Sequence, residues 1–334
     1  MKPIIPFALL GALFAVGVAS GAATDPVGYI THTIAPNGGS GSALTVIGPS
    51  LVQAATFAGV STNDPSSSAT VNFSGGVPAL DNTYYLEITS GASEGWWSTV
   101  LSATANSVTT NDTLPSGLAV GTKIVIRKHN TVLSFLGQNA PGLTAFGTGT
   151  ADEVQFLNPN QSLTSIVYAT TAVGAPADGW YFTSNFSSAD NKVIEPGTAV
   201  LVKNNSNTQH TFQSVGDVKI TDTEVDIFPG LTLIAQPAAA GATVDASGYP
   251  TELIQYNGSN GDFDQLQFLS AAQSLTSYAA LAPGIAGPNA TMGNLGTGNP
   301  AGTDPFNEGT GALIKRDPSK PASAITIQGS VVNP

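Results

Sequence analysis

The sequence predicts an all-β protein built from tandem β-sandwich or small-barrel domains with an internal duplication. The duplication is the first of three observations behind this prediction. VQFLNPNQSLTSIVY (154–168) recurs as LQFLSAAQSLTSYAA (266–280), and EPGTAVLVK (195–203) recurs as NEGTGALIK (307–315). Both pairs are separated by the same 112 positions, although the residues between them have diverged. A constant offset of this kind indicates one supersecondary unit that occurs twice.

Composition and side-chain alternation are the other two observations. The chain contains 37 glycines and 22 prolines with only 10% charged residues, so it is poor in residues that favour long helices and rich in residues that form turns. In TKIVIRKHN (122–130), Ile124 and Ile126 share one face while Lys123 and Arg127 share the other, which is the period of a β-strand. Hydrophobic residues make up 41% of the chain, which is enough for packed cores.

Charge and cysteine content exclude several classes of function. The formal net charge is −12, with ten Lys and Arg residues spread along the chain. No basic patch is available to neutralise phosphates, so we expect no nucleic-acid partner. The chain has no cysteine, which excludes disulfides, thiolate metal sites and cysteine nucleophiles.

The N-terminus has the three parts of a secretory signal peptide, which we place at residues 1–22. Lys2 supplies the positive charge, Ile4 to Val18 form an apolar stretch, and small residues follow up to a cleavage site near Ala22. We therefore expect a secreted protein, extracellular or at the cell surface. The remaining sequence has no apolar run long enough to cross a bilayer, so no membrane span is expected after signal removal.

We expect residues 23–130 to form an N-terminal β-domain. PVGYITHTI (26–34) alternates strand-forming residues and begins the mature chain. TYYLEITS (83–90), WWSTVLSA (96–103) and SVTTN (107–111) are separated by short turn sequences. Such spacing is typical of an antiparallel meander.

Two β-repeat units are predicted to follow, at 131–222 and 223–334. In the first unit, strands are expected at GWYFTS (179–184) and TAVLVK (198–203), with a turn at EPG between them. The second unit has longer Gly- and Pro-rich loops at 282–306. Loops of this kind are where duplicated copies diverge at low cost.

The titratable residues do not form a catalytic pattern. His32, His129 and His210 lie at or beside predicted strand ends, outside any nucleophile-elbow or zinc-protease motif. We interpret them as surface or strand-edge histidines. The sequence therefore predicts that the protein is not an enzyme.

Two pairs of acidic residues are the remaining catalytic candidates. Glu87 with Glu94, and Asp152 with Glu153, could in principle serve glycoside hydrolysis. Both pairs flank predicted turns or strand ends, where solvated carboxylates are common. We interpret them as surface charges.

One loop offers hard oxygen ligands for a metal. NGSNGDFD (257–264) contains Asn257, Asn260, Asp262 and Asp264, and Ca²⁺ prefers such carboxylate and amide oxygens. The loop lacks the spacing and the terminal glutamate of an EF-hand. Calcium is thus a candidate cofactor for these residues, without a motif that specifies it.

Adjacent aromatic residues form the most conspicuous surface feature. Because successive strand residues face opposite ways, Trp96 and Trp97 cannot both enter one core, and the same holds for Trp180 and Tyr181. Outward rings such as Trp97 and Tyr181 could stack on sugar rings, or pack on a neighbouring domain or subunit. The second repeat has Gly293 in place of Tyr181, which favours packing.

Three segments carry a resemblance to a known family. TDPVGYI (24–30), TYYLEITSGASEGWWST (83–99) and EPGTAVLVKNNS (195–206) resemble motifs of an uncharacterised family of secreted, signal-peptide-bearing bacterial proteins found chiefly in Verrucomicrobia and their relatives. The second repeat departs from the last motif at Arg316 and Asp317, where the motif has two asparagines. No activity is established for that family, so the resemblance implies secretion and a surface location only.

These observations predict a non-enzymatic extracellular structural protein, a subunit of a surface layer, fibre or matrix. We expect self-association into a homo-oligomer or polymer through β-strand edges. The N-terminal strand, with Val27, Tyr29, Thr31 and Thr33 on one face, could complete the sheet of a neighbour. The alternative is a secreted carbohydrate-binding or adhesive module that binds polysaccharide through exposed aromatic rings.

Overall fold

A computed structural model describes residues 27–39, 41–138, 142–236, 242–259, 261–285 and 291–329. The predicted signal peptide and Asn260 lie outside the described residues. Within them, almost all regular structure is antiparallel β-sheet, which confirms the all-β prediction. No helix among these residues has the length and apolarity that crossing a membrane requires.

The strands fall into three groups, which we name repeat 1, the insert domain and repeat 2. Repeat 1 begins with β1 Val27–Ile34, β2 Ala43–Ile47 and β3 Leu51–Val52. The insert domain contains β4 Ala55–Val60, β5 Thr70–Asn72, β6 Tyr84–Ile88, β7 Trp97–Thr104, β8 Ser107–Thr110 and β9 Lys123–Lys128. The chain then returns to repeat 1.

Repeat 1 continues with β10 Asn130–Thr131, the short helix α1 Val132–Leu136, β11 Glu153–Leu157, β12 Leu163–Ala169, a 3₁₀ turn at Thr171–Val173, β13 Gly179–Phe182, β14 Val193–Ile194, β15 Val200–Asn204 and β16 His210–Val218. Repeat 2 comprises β17 Thr223–Ile227, β18 Gly230–Ala235, β19 Ala242–Thr243, α2 Tyr249–Glu252, β20 Gln265–Leu269, β21 Leu275–Leu281, β22 Thr291–Asn294, β23 Pro305–Phe306, β24 Gly311–Arg316 and β25 Ser323–Ile327.

The two repeats have the same sheet topology. Repeat 1 contains a five-stranded sheet in the order β13-β12-β11-β15-β2, and repeat 2 contains one in the order β22-β21-β20-β24-β18. In each repeat a smaller sheet pairs the first strand with the last, β1 with β16 and β17 with β25. Strands β2 and β18 are therefore equivalent, as are β1 and β17. The duplication extends to strands in which the sequence shows no similarity.

Residues 23–130 were expected to form one N-terminal domain, but the described part of them belongs to two units in the structure. Strand β1 pairs with β16 and β2 pairs with β15, so the first strands of the mature chain complete repeat 1. Only the six strands β4 to β9 form a separate sheet, which is the sheet of the insert domain. This arrangement was hidden in the sequence because the insert separates β2 from the rest of its sheet by about a hundred residues.

Each group of strands has its own hydrophobic core. The core of repeat 1 surrounds Trp180, the core of repeat 2 surrounds Phe306, and the core of the insert domain surrounds Leu86. Alternation explains how the strands fill these cores, since β16 buries alternate residues over its first half. The three groups are separately packed units within one chain.

The two repeats pack against each other about a pseudo-two-fold axis. A fourth apolar cluster joins them and contains Val46, Ala199, Leu233, Ala235 and Leu313. Isolated β-bridges connect Ile47 with Thr310 and Thr198 with Ile234. These two bridges are equivalent under the duplication, because β2 corresponds to β18 and Thr198 lies 112 positions before Thr310.

Buried ion pairs attach the insert domain to the repeats. The ammonium of Lys219 pairs with the carboxylate of Glu87, and both side chains are almost fully buried. Arg127 donates to Asp217 at 3.3 Å. Burial lowers the pKa of Lys219, while the adjacent Glu87 carboxylate opposes that shift. These ion pairs hold the insert domain against the repeats. Loss of one partner would leave the other charge buried and unpaired, which is strongly destabilising.

Candidate assembly edge

The free edge of β17 in repeat 2 is covered by the insert domain. The backbone N–H of Glu224 donates to the carbonyl of Gly95 at 2.9 Å. The indole Nε1–H of Trp97 donates to the carbonyl of Glu224, also at 2.9 Å. Both backbone groups of Glu224 therefore have partners outside the β17–β25 pair.

A glycine is required at this contact. Gly95 has a φ of +94°, and a Cβ there would lie 2.9 Å from the carbonyl carbon of Asp222. Both the left-handed backbone and the close approach exclude a side chain. The glycine lies in the SGASEG turn that precedes β7, and its absence of a side chain lets the turn reach β17.

The equivalent strand in repeat 1 is β1. Glu224 is paired with Thr326 in its sheet, and Thr31 is paired with Gln213 in the equivalent place. In both strands the flanking residues face the core, Ile30 and His32 in β1 and their counterparts in β17. Thr31 thus occupies in repeat 1 the position that Glu224 occupies in repeat 2.

This equivalence fixes where the backbone of Thr31 points. For L-residues, the direction of a strand and the face of the side chain together determine the side on which the N–H and C=O lie. Since Thr31 and Glu224 agree in both, the N–H and C=O of Thr31 point away from β16. Within the described part of the chain, β16 is the one strand that pairs with β1. The edge that is covered in repeat 2 is thus free of strand partners in repeat 1.

The face of β1 beside this edge is exposed and partly apolar. Val27 and Tyr29 are 71% and 73% exposed, and Val215 on β16, which pairs with Tyr29, is 67% exposed. Thr31 and Thr33 continue the same exposed face. The structure therefore brings the four predicted assembly residues together on one side of β1.

Strand β1 also lacks the features that usually protect an edge. Its sequence VGYITHTI contains no Lys, Asp, Glu or Pro, and its register with β16 runs without a bulge over all eight residues. Natural edge strands normally carry charges, prolines or bulges that prevent pairing with another chain. The edge of β1 is long, regular and uncharged.

The two aromatic residues predicted to bind ligand do not form a platform. Tyr181 is only 5% exposed, stacks on Phe186 with ring centroids 4.8 Å apart, and donates its hydroxyl to the carbonyl of Ala177 at 2.8 Å. Trp97 is half-buried between the insert domain and repeat 2 through its bond to Glu224. Tyr181 is thus corrected to a packing residue, whereas Trp97 lies at the interface with one part of its ring still accessible.

The predicted calcium residues do not converge on a common site among the described residues. Asp264 is buried in repeat 2, where Arg316 donates to its carboxylate through Nε at 3.0 Å and through Nη2 at 2.6 Å. Asp262 pairs with Lys320 at the surface, and Asn257 accepts the backbone N–H of Ser259 at 3.1 Å. No cluster of three metal-ligating His, Asp or Glu side chains occurs within the ranges that the structure describes.

The structure buries all three histidines, so their interpretation as surface residues is wrong, although His129 and His210 do lie at strand ends. His32, His129 and His210 are 1%, 4% and 9% exposed. Burial lowers the pKa of His32 to about 4, although its bond to the Gly309 carbonyl opposes this shift. Burial also lowers the pKa of His129 to about 4. The rings of His32 and His129 are therefore neutral at neutral pH.

Two of the histidines contact serine, as nucleophilic catalysis would require. The Nε2 of His32 lies 2.8 Å from Ser214 Oγ, but both residues are buried. His210 uses Nε2 toward both Ser206 Oγ, at 3.1 Å, and the Asp152 carboxylate, at 4.0 Å. In a catalytic triad the serine and the acid contact opposite ring nitrogens. Neither contact has the geometry of an accessible activated serine.

The members of each acidic pair have different surroundings in the fold. Glu87 is buried beside Lys219, while Glu94 lies in the turn that reaches β17. Asp152 is buried and accepts the backbone N–H of Asn205 at 2.6 Å, and Glu153 accepts from Lys203 at 3.1 Å. The expectation of solvated surface charges is therefore wrong for Glu87 and Asp152.

Together, fold and site define a class of protein: a duplicated all-β chain with an inserted β-domain, in which one edge of β1 has no strand partner among the described residues. The chain matches no protein family, no curated protein and no solved structure in the comparisons made.

The cover on β17 was not predicted from the sequence. The only signal for it was Gly95 in a turn whose motif also carries the family resemblance. A local pattern indicates that a glycine is needed in the turn, but it does not predict which distant strand the turn contacts.

Proposed function

We propose that this protein is a non-enzymatic extracellular structural protein that associates with copies of itself through the free edge of β1. The observation that carries the proposal is the contrast between Glu224 and Thr31. Equivalent backbone groups have partners in β17 and lack a neighbouring strand in β1 within the described residues. An exposed strand edge is a template for pairing with another chain.

The chemistry of the edge supports a second copy as the partner. Copies with a formal charge of −12 repel each other, so contact is favoured where no charged side chain lies. Strand β1 has none from Val27 to Ile34. Pairing of two β1 strands would also bury Val27 and Tyr29, which are now largely exposed.

The repeat–repeat interface does not compete for this role. It is isologous, with equivalent residues of the two repeats on its two sides. Because it is already formed within the chain, association between chains must use another surface. The insert domain covers the edge of β17 in repeat 2, whereas the equivalent edge of β1 in repeat 1 has no strand partner within the described residues.

Burial of the histidines and the intramolecular pairing of most candidate acids support the non-enzymatic part of the proposal. Secretion rests on the predicted signal peptide and on the family resemblance. These arguments support an exported protein that associates with copies of itself.

The test uses the secreted protein and two substitutions at one position. Thr31→Pro removes the outward N–H but leaves the β1–β16 ladder intact, because proline is tolerated on edge strands where the N–H faces solvent. Thr31→Val keeps both the N–H and a β-branched side chain. We expect sedimentation velocity to show concentration-dependent association for the natural protein and for Thr31→Val, and a monomer for Thr31→Pro.

Circular dichroism checks that all three proteins have the same strand content. A natural protein that stays monomeric at high concentration, with no ordered array on cells by electron microscopy, contradicts the proposal. Equal association of the Thr31→Pro and Thr31→Val proteins contradicts the role of the edge.

A further inference from the structure

A cleft of about 380 Å³ lies where the insert domain and both repeats meet. Trp97 and Asp112 line it from the insert domain, Phe156 and Glu195 from repeat 1, and Asp226 from repeat 2. Ligand sites occur preferentially at such junctions between packed units. This cleft is separate from the β1 edge and does not depend on self-association.

The lining of the cleft includes aromatic rings. Phe156 and Phe228 are half-buried there, together with Trp97, whose indole is held in place by its bond to Glu224. The ammonium of Lys192 lies 5.2 Å from the centroid of the Phe156 ring. Aromatic faces beside polar groups provide apolar contact for the flat faces of sugar rings.

Carboxylates surround these rings. Asp112 is oriented by Ser98, which donates to its Oδ2 at 2.7 Å. The cleft walls desolvate the Glu195 carboxyl, and although Lys192 opposes the effect, Asp226 and Asp112 add to it, so the pKa of Glu195 is raised. Within the described residues, no hydrogen bond contributes to that shift. Glu195 is thus a hydrogen-bond acceptor available to a ligand.

The charges of the cleft disfavour an anionic ligand. Asp112, Glu195 and Asp226 outnumber the single Lys192 ammonium in the lining, so an anion would be repelled. A ligand with many hydroxyl groups can donate to the carboxylates and accept from the ammonium at the same time. Apolar rings with mixed donors and acceptors fit a pyranose better than they fit an ion.

The duplication shows that these groups are not part of the common framework. The position of Glu195 is occupied by Asn307 in repeat 2, and the position of Asp226 is occupied by Thr33 in repeat 1. The scaffold residue Phe156 is retained as Phe268. The acidic groups therefore occur only on the side of the pseudo-two-fold axis where the insert domain closes the cleft.

We infer that this junction cleft binds a neutral polyhydroxylated ligand, a pyranose unit of an extracellular polysaccharide. Its rings contact the apolar face of the sugar, and Glu195 and Asp226 accept hydrogen bonds from the sugar hydroxyls.

The test is isothermal titration calorimetry with three neutral probes, cellohexaose, xylohexaose and mannohexaose. Chitosan hexamer, which has the cellohexaose backbone with a cationic amine on each ring, is the charged comparison. We expect at least one neutral hexamer to bind. Because hydrogen bonds to charged groups are worth about 1.5–3 kcal/mol, Glu195→Gln should weaken that binding by about tenfold or more.

The duplication supplies the control. Glu308 is an exposed glutamate on the equivalent turn of repeat 2 and does not line the cleft, so Glu308→Gln should bind like the natural protein. Absence of binding by all three neutral hexamers overturns the inference. Tighter binding of the chitosan hexamer, or equal weakening by Glu195→Gln and Glu308→Gln, overturns it as well.

Discussion

Gln161 and Gln273 make the same pair of hydrogen bonds to opposite repeats. Gln161 accepts the backbone N–H of Leu231 at 2.7 Å and donates to its carbonyl at 3.1 Å. Gln273 accepts from the N–H of Leu44 at 2.7 Å and donates to its carbonyl at 3.1 Å. Each side-chain amide thus pairs with the edge of the other repeat's sheet as a strand residue would.

We expect Gln161→Ala to destabilise the contact between the repeats. It removes hydrogen bonds that are solvent-accessible, so the free energy of unfolding should fall by about 1 kcal/mol. Gln273→Ala should have a similar effect because its bonds have the same lengths. Urea denaturation measures both variants and the double variant, and a double variant as stable as the natural protein contradicts this role.

Gly95→Ala should loosen the insert domain from repeat 2. The variant forces a Cβ to within 3.0 Å of backbone atoms at Asp222 and Thr223, in addition to the cost of a positive φ. Limited proteolysis of the insert domain, together with thermal unfolding, measures the effect.

Gly91→Ala is the matched control for that experiment. Gly91 has a similar φ of +84°, but a Cβ there meets no atom within 4 Å. It therefore carries only the backbone cost, which is about 1–3 kcal/mol for a strained residue. Equal losses for the two variants would show that the approach to β17 contributes nothing.

Lys219→Met should be among the most damaging single changes. It leaves the Glu87 carboxylate buried without its cation, and breaking a buried pair in this way costs about 3–5 kcal/mol. The double variant Glu87→Gln with Lys219→Met removes both charges and should recover much of that loss. A double-mutant cycle by urea denaturation measures the coupling, and simple additivity of the two changes contradicts it.

Stability should decrease as the pH falls from about 6.5 towards 5. His32 and His129 have folded-state pKa values of about 4, below their usual value, so the unfolded chain binds their protons first. Each histidine then contributes a slope of up to about 1.4 kcal/mol per pH unit in that range. Denaturation at several pH values measures this slope.

His129→Gln provides the comparison for the pH experiment. The variant loses one titrating group, so its stability should depend less steeply on pH between 6.5 and 5. An unchanged slope would show that the buried imidazole of His129 does not determine the acid sensitivity.

The all-β class and the presence of a duplication could be predicted because both depend on local patterns. Alternation identified β9 through Ile124 and Ile126, and the constant offset identified the equivalent strands β11 and β20. Both patterns can be recognised within short segments of the sequence, without knowing which strands pair.

The remaining features depend on contacts between distant parts of the chain. Nothing near Glu87 indicates that Lys219 will neutralise it, and nothing near His32 indicates that Ser214 and Gly309 will surround it. The first strands of repeat 1 were assigned to the wrong unit for the same reason. Their sequences have diverged from β17 and β18, so only the pairing in space shows the equivalence.

The two ends of the insert domain lie side by side. Asn130 donates to the carbonyl of Leu51 at 3.1 Å, and Gln53 donates to Asn130 at 2.8 Å. Strands β2 and β10 of repeat 1 correspond to β18 and β19 of repeat 2, and only six residues of sequence, 236–241, separate β18 from β19. Excision of the insert domain, with a short connection in its place, should therefore leave both repeats folded and expose the edge of β17. If the proposed pairing at β1 occurs, the shortened protein would have two such edges and could form linear chains.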